Sequence, residues 1–139
     1  MATDSSFRLL PPSMHTQATA FYRLHGSPMK VRSTHQVWVL GAPAITACVC
    51  TQAVVSREGH WLTSLFVDPA LRKRGLAGQL LDQVRLVVDG PIWLFCRPEL
   101  SRVYHRHGYY TAKQMPESLT SKLQRYRREK QLIALVNPG

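Results

Sequence analysis

A chain of 139 residues can bury one hydrophobic core and is too short for two domains of typical size, so a single domain over residues 1–139 is expected. With 45% hydrophobic and 19% charged residues it is not a disordered chain, and no apolar run has the length of a membrane span. Eighteen Lys and Arg against eight Asp and Glu leave a net charge of +10, which points to polyanionic ligands: phosphate-bearing cofactors or nucleic acid. The opening MATDSSFRLLPP has no basic region followed by an apolar core, and three cysteines are an odd number, so a soluble protein of the cytoplasm is expected.

SSFRLL reads as a short first strand stopped by Pro11 and Pro12, with Ser13 as the cap of a helix that places Met14, Ala18, Phe21 and Tyr22 at helical spacing up to Gly26. QVWVL and AITACVCTQAVVS are β-branched strands joined through GAP. Arg57, Glu58 and Gly59 make the next turn, and HWLTSLFV is the third strand of the meander. Cys48 and Cys50 alternate and so face one side of their strand. No second pair completes a metal site, which makes them small core hydrophobes.

After LFVDPALRKRG a helix follows in which Leu76, Leu80, Val84 and Val87 line one face. Asp89 and Gly90 end it. The continuous apolar run PIWLFC predicts a strand buried on both faces, and so a strand-helix-strand crossover over residues 61 to 96. Pro98 and Gly108 bound another helix, YYTA is a short strand, and Pro116 opens a helix with Leu119, Leu123 and Tyr126 on its apolar stripe. QLIALV is the last strand.

The chemistry concentrates where Arg72, Lys73 and Arg74 run into Gly75 at the mouth of a helix. Three like charges repel one another, and cations there oppose the positive end of the helix dipole, so an anion is expected as their partner. Strand, glycine turn and helix N-terminus together bind phosphate through exposed N–H groups. The nucleoside-triphosphate loop is excluded because no Lys-Ser or Lys-Thr follows the glycine, and the dinucleotide fingerprint is absent.

What remains, RKRGLA after FVDP and before GQLL, resembles the main signature of the GNAT-type N-acetyltransferases, [QR]-x-x-G-x-[GA] after a strand ending near V-x-P. VYHRHGYY resembles that family's later element, (L/F)-Y-x-x-x-G-(F/Y). The resemblance implies an α/β (α+β) GNAT fold. Its central mixed, mostly antiparallel sheet would have about six or seven strands flanked by helices, with a V-shaped opening between the two middle parallel strands. It implies an N-acetyltransferase that moves an acetyl group from acetyl-CoA to a primary amine by direct attack, without a metal. By position, Arg72, Lys73, Arg74, Gly75, Leu76, Ala77 and Gly78 would hold the pyrophosphate. Leu65, Phe66 and Val67 would offer strand-edge backbone to the pantetheine arm, and Tyr104 would give a proton to the departing thiolate. Arg97 stands where many members carry an asparagine and would favour CoA phosphate instead. A helix between the last two strands, where the family usually has a hairpin, is the second departure.

On the acceptor side, His60 and Glu58 are the candidates for a base, and Tyr22, His25 and Trp38 for the wall of the amine site. The acceptor is a small amine or the amine of a protein or peptide. A monomer or homodimer is expected. Two other readings stand beside the enzyme: a GNAT-fold acetyl-CoA sensor without turnover, and a basic RNA-binding domain. Residues 97 to 130 carry nine Lys or Arg and three Asp or Glu, so the basic helix 117–130, with Arg125, Arg127, Arg128 and Lys130 beside Tyr126, could attract RNA or an acidic partner.

Overall fold

The computed structural model describes residues 6–56 and 58–139. Ser5 of the first expected strand and Arg57 of the turn before Glu58 lie outside them. The elements in chain order are β1 (Arg8–Leu10), α1 (His15–Leu24), β2 (Gln36–Leu40), β3 (Ala47–Ala53), β4 (His60–Val67), α2 (Leu76–Val87), β5 (Ile92–Cys96), α3 (Ser101–His105), β6 (Tyr110–Thr111), α4 (Glu117–Tyr126) and β7 (Ile133–Asn137). The strands form one seven-stranded mixed sheet in the order β1-β2-β3-β4-β5-β7-β6. β4 and β5 are parallel, and their registered pairs are His60 with Ile92 and Trp61 with Trp93, both at the N-terminal ends of the two strands. β5 and β6 each pair antiparallel with β7, so the last two strands are neighbours although α4 lies between them in the chain.

Contacts gather the residues into two compact units. The first takes the described residues up to Gln52 together with Thr63–Val84, and the second those of Ala53–Leu62 together with Arg85–Gly139. In the first unit α1 buries Ala18, Phe21 and Tyr22 against Leu10, Val37, Val39, Cys48 and Cys50, as the 3.6-residue and two-residue periods require. Ser13 makes no cap. It lies in a 3-10 turn, Pro12–Met14, because the prolines fix the backbone there before the α-helix begins. α2 buries Leu80, Leu81 and Val84, each fully enclosed side chain stabilising the fold by about 1.5–3 kcal/mol. Val87, expected on that face, is 52% exposed: the stripe runs from Leu80 to Val84 and on to Val88, four residues apart.

In the second unit Val54, Trp61 and Leu119 form a core with Trp93, Phe95 and Met115 packed against it. β5 alternates rather than being buried on both faces. Ile92, Leu94 and Cys96 are enclosed, while Trp93 and Phe95 are half-buried. α4 is shorter than its charge pattern suggests. It ends at Tyr126, and residues 127–130 form turns closed by Lys130 N–H donating to the Tyr126 carbonyl at 3.1 Å. Leu119 and Leu123 are buried, but Tyr126, expected on the same stripe, is 43% exposed because it stands where the helix gives out.

Candidate functional site

The turn after β4 is built from its backbone outward. Asp68 N–H donates to the Thr46 carbonyl at 2.8 Å, and its Oδ1 accepts from Ala70 N–H at 2.9 Å, which starts a 3-10 turn over Pro69–Leu71. Arg72 is extended, Lys73 takes φ +67° and Gly75 φ +78°. Gln79 N–H donates to the Gly75 carbonyl at 3.0 Å, the first bond of α2, so the N–H groups of Leu76, Ala77 and Gly78 have no acceptor within the helix. A Cβ on Gly75 would meet nothing within 4 Å. Glycine is therefore needed there for its left-handed backbone, and the space in front of the helix end is open.

The three cations do not behave alike. Arg72 folds back on its own strand: Nε donates to the Val67 carbonyl at 3.3 Å, and Cζ lies 5.1 Å from the centre of the Phe66 ring. Part of the repulsion expected to wait for an anion is thus relieved inside the chain, by an interaction that braces the turn. All three cations are exposed.

Upstream, β4 contains a feature that the sequence did not announce. Ser64 has φ +62°, a left-handed conformation that costs a non-glycine residue of the order of 1–3 kcal/mol. The Tyr22 hydroxyl, fully buried in α1, donates to the Ser64 carbonyl at 2.7 Å and holds that peptide in place. Burial, with Cys48 and Cys50 adding to it, pushes the Tyr22 phenol far above its ordinary range, so it stays a donor. Burial likewise pushes the Cys48 thiol up to about 12 and that of Cys50 to about 11. In the same strand Leu65 and Phe66 are half-buried and Val67 is buried.

Two residues expected on an acceptor wall serve the core instead. Tyr22 is enclosed, and Trp38 is buried with its Nε1 donating to Thr51 Oγ1 at 2.9 Å and its ring stacked on Phe7 at 5.6 Å. His25 differs from both. Half-buried after the end of α1, it packs edge-on to Phe21 at 5.1 Å, and its Nε2 lies 3.9 Å from Asp68 Oδ2, an ion pair whenever the ring is protonated. It therefore joins the turn that carries the cations.

In the second unit Tyr104 lies on α3, half-buried, with its ring 6.0 Å from that of Tyr109. Burial first, and then Cys96, push its phenol up to about 12, which keeps it protonated at neutral pH as a proton donor must be. The Cys96 thiol is itself pushed up to about 11 by burial and by Glu99. Gly108 has φ +88°, and a Cβ there would stand 2.8 Å from Asn137 Nδ2, the atom that donates to the His107 carbonyl at 3.1 Å. The glycine of the second signature is thus fixed by both backbone and space. Arg97 is exposed and extended ahead of Pro98.

Of the base candidates, Glu58 is exposed and lends its carbonyl to Trp93 Nε1 at 3.1 Å. His60 is half-buried at the start of β4, and its Nδ1 is enclosed without a hydrogen-bond partner. Among the described residues no group of His, Cys, Asp and Glu is placed to hold a metal, and no helix is long and apolar enough to cross a membrane.

No known family model and no curated protein matches the chain by sequence. Solved structures do match in shape. The ribosomal-protein-S18-alanine N-acetyltransferase of Escherichia coli superposes with a TM-score of 0.68 at 16% identity, over 97% of this chain and 94% of that one. The N-acetylglutamate synthase of Neisseria gonorrhoeae, solved with coenzyme A and N-acetyl-glutamate, superposes at 0.65 and 15% identity over 99% of this chain, which spans only 36% of the synthase. A Mycobacterium tuberculosis protein in complex with CoA superposes at 0.68 and 11% identity over 96% of this chain and 98% of its own. With the strand order, the parallel β4 and β5 pair and the glycine turn into α2 already described, these superpositions identify the fold: the chain has that of the GNAT-type N-acetyltransferases.

Proposed function

We propose that this chain is an acetyl-CoA-dependent N-acetyltransferase that acts on a primary amine in a ternary complex. The observation that carries the reading is the turn 72–78. There a left-handed glycine opens onto three first-turn N–H groups without acceptors within the helix, and Lys73 and Arg74 stand exposed beside them. That arrangement suits the pyrophosphate of CoA, and two of the superposed proteins were solved with CoA. Leu65, Phe66 and Val67 would take the pantetheine arm through their backbone, and Arg97 would add charge for a phosphate.

In the reaction a neutral amine attacks the thioester carbonyl and the C–N bond forms. The tetrahedral oxyanion collapses, the C–S bond breaks, and the thiolate takes its proton from Tyr104. The proton lost by the amine goes to a base, for which His60 is favoured over Glu58 because an imidazole suits proton transfer near neutral pH better than a carboxylate does. The amine acceptor itself is either a small molecule or the amine of a protein or peptide.

Thermal unfolding with and without CoA tests the reading most directly. A ligand at about 100 times its Kd stabilises the folded state by about 2.7 kcal/mol, a rise in Tm of several degrees for a chain of this length. Arg74→Glu should abolish that rise. A Tm indifferent to CoA at millimolar concentration removes the cofactor assignment and the enzyme with it.

A further inference from the structure

At the C-terminal end of α4 the chain forms a cleft of about 430 Å³ lined by Arg125, Tyr126, Arg128, Glu129, Lys130 and Leu132. The volume lies in the range of small-ligand sites, about 300–1,000 Å³. Its charges are available to a ligand. Arg127, the neighbouring cation, is spent on closing the turn, its Nε donating to the Leu132 carbonyl at 3.0 Å. Arg125, Arg128 and Lys130 form no ion pair among the described residues and are exposed. Helix polarity adds nothing against them, since cations at a helix C-terminus are favourable. A solvated basic face would need no more explanation than that.

The tyrosine does need one. Tyr126 is 43% exposed beside these cations, with its ring centre 6.3 Å from that of Trp61 and 6.2 Å from that of Phe95, so part of the ring packs on neighbouring aromatics and part is left to solvent. An exposed aromatic in a cleft whose charged lining is Arg125, Arg128 and Lys130 against the single carboxylate of Glu129 fits a ligand that is flat and apolar in one part and anionic in another. A nucleotide has that character, because the base stacks on the ring or on an arginine plane while the phosphates meet the cations. An acidic peptide would satisfy the charges and leave the ring face unused. Double-stranded nucleic acid keeps its bases stacked on each other and has none to offer.

We propose that this cleft binds single-stranded RNA, with a base on Tyr126 and flanking phosphates on Arg125, Arg128 and Lys130. The cleft shares no residue with the turn at 72–78, and the proposal does not rest on the acetyltransferase reading.

Fluorescence anisotropy of a labelled twelve-residue uridine RNA, titrated with the whole protein at several salt concentrations, tests the assignment. Tyr126→Ala is expected to weaken binding at least about fivefold with the salt slope unchanged, and Tyr126→Phe to retain it. Arg128→Gln, a change at an exposed residue, is expected to lower the slope of log K against log salt by about 0.7, one phosphate contact on a single strand. Binding is expected to persist in Arg74→Glu and under saturating CoA. The proposal is overturned if Arg128→Gln and Tyr126→Ala bind as the parent does, which would leave only the diffuse attraction of a cationic protein. It is equally overturned if a glutamate-rich peptide binds more tightly than the RNA, if free UMP saturates the cleft at lower concentration than the strand does, or if CoA displaces the RNA.

Discussion

The two compact units carry matched features in different surroundings. Each has a left-handed glycine, a tyrosine whose phenol is held protonated, and a run of cations beside a helix end. In the first unit Gly75 faces open space, the Tyr22 hydroxyl is committed to the Ser64 carbonyl, and the cations stand at a helix N-terminus. In the second, Gly108 is packed against Asn137, no hydrogen bond of the Tyr104 hydroxyl occurs among the described residues, and the cations stand at a helix C-terminus. The same residue types are therefore structural in one place and available in the other. A glycine left open or a hydroxyl left uncommitted is free for a ligand, whereas a glycine or hydroxyl used by the fold is not.

The glycines give the largest test of that contrast. Gly108→Ala must pay for a left-handed alanine and also displace the Asn137 amide from the His107 carbonyl, a loss of about 2–4 kcal/mol in all. Gly75→Ala meets only the backbone cost, about 1–2 kcal/mol. Urea unfolding with unchanged m-values measures both. Equal losses would mean that the open space before α2 is not open in solution.

The tyrosines come next. Tyr22→Phe leaves the Ser64 carbonyl without its donor and should cost about 1–3 kcal/mol, while Tyr104→Phe should leave stability nearly unchanged. If Tyr104 is the acid, its loss lowers turnover by about a hundredfold or more with little change in acetyl-CoA affinity. Equal activity would return it to a packing role. Both phenols also make the protein sensitive to alkali, and the sign follows from their direction. Tyr104 rises from 10.0 in the unfolded chain to about 12 in the folded one, so the unfolded state loses its proton first. The stability it contributes is complete below pH 10 and is lost as pH rises through 12. The raised thiols of Cys48, Cys50 and Cys96 act in the same sense from pH 9 upward. Phenolate absorbance should accordingly show Tyr22 and Tyr104 losing their protons only as the chain unfolds. Loss of these two protons near pH 10 in the folded chain, seen as phenolate absorbance that a Tyr22→Phe, Tyr104→Phe double variant lacks by two free phenols, would contradict the burial of both.

The sequence reached what periodicity and local backbone chemistry determine, and stopped where tertiary contacts decide. The strands β2, β4 and β5 and the crossover through α2 were legible in their apolar runs, and the turn at Arg72–Gly78 in its glycine and charges. Ser64 was not, since a serine inside HWLTSLFV carries no mark of a left-handed peptide. The carbonyl of that residue is held by a hydroxyl 42 positions earlier in the chain. Tyr22 and Trp38 were drawn toward the acceptor site because an aromatic with a polar tip reads equally as wall or core, and only the bonds to Ser64 and Thr51 separate the two. The end of α4 is hidden in the sequence for a similar reason. RREK is as good a helical sequence as what precedes it, but Arg127 is turned aside to the Leu132 carbonyl.

The cations make the smallest prediction and the most direct test of the comparison, because the two runs should respond with opposite sign. Without ligand, Arg74 stands one residue before the Gly75 that opens α2, where a positive charge opposes the dipole. Arg125 lies in the last turn of α4, where the same charge is favourable. Arg74→Glu should therefore raise the stability of the ligand-free protein, and Arg125→Glu should lower it, each by about 0.3–1 kcal/mol and less in high salt. A gain in stability from Arg74→Glu together with loss of the CoA response would identify a charge kept for its ligand at the expense of the fold. A loss of stability at both positions would mean that the loop cations, like Arg72 on Phe66, are already satisfied within the chain.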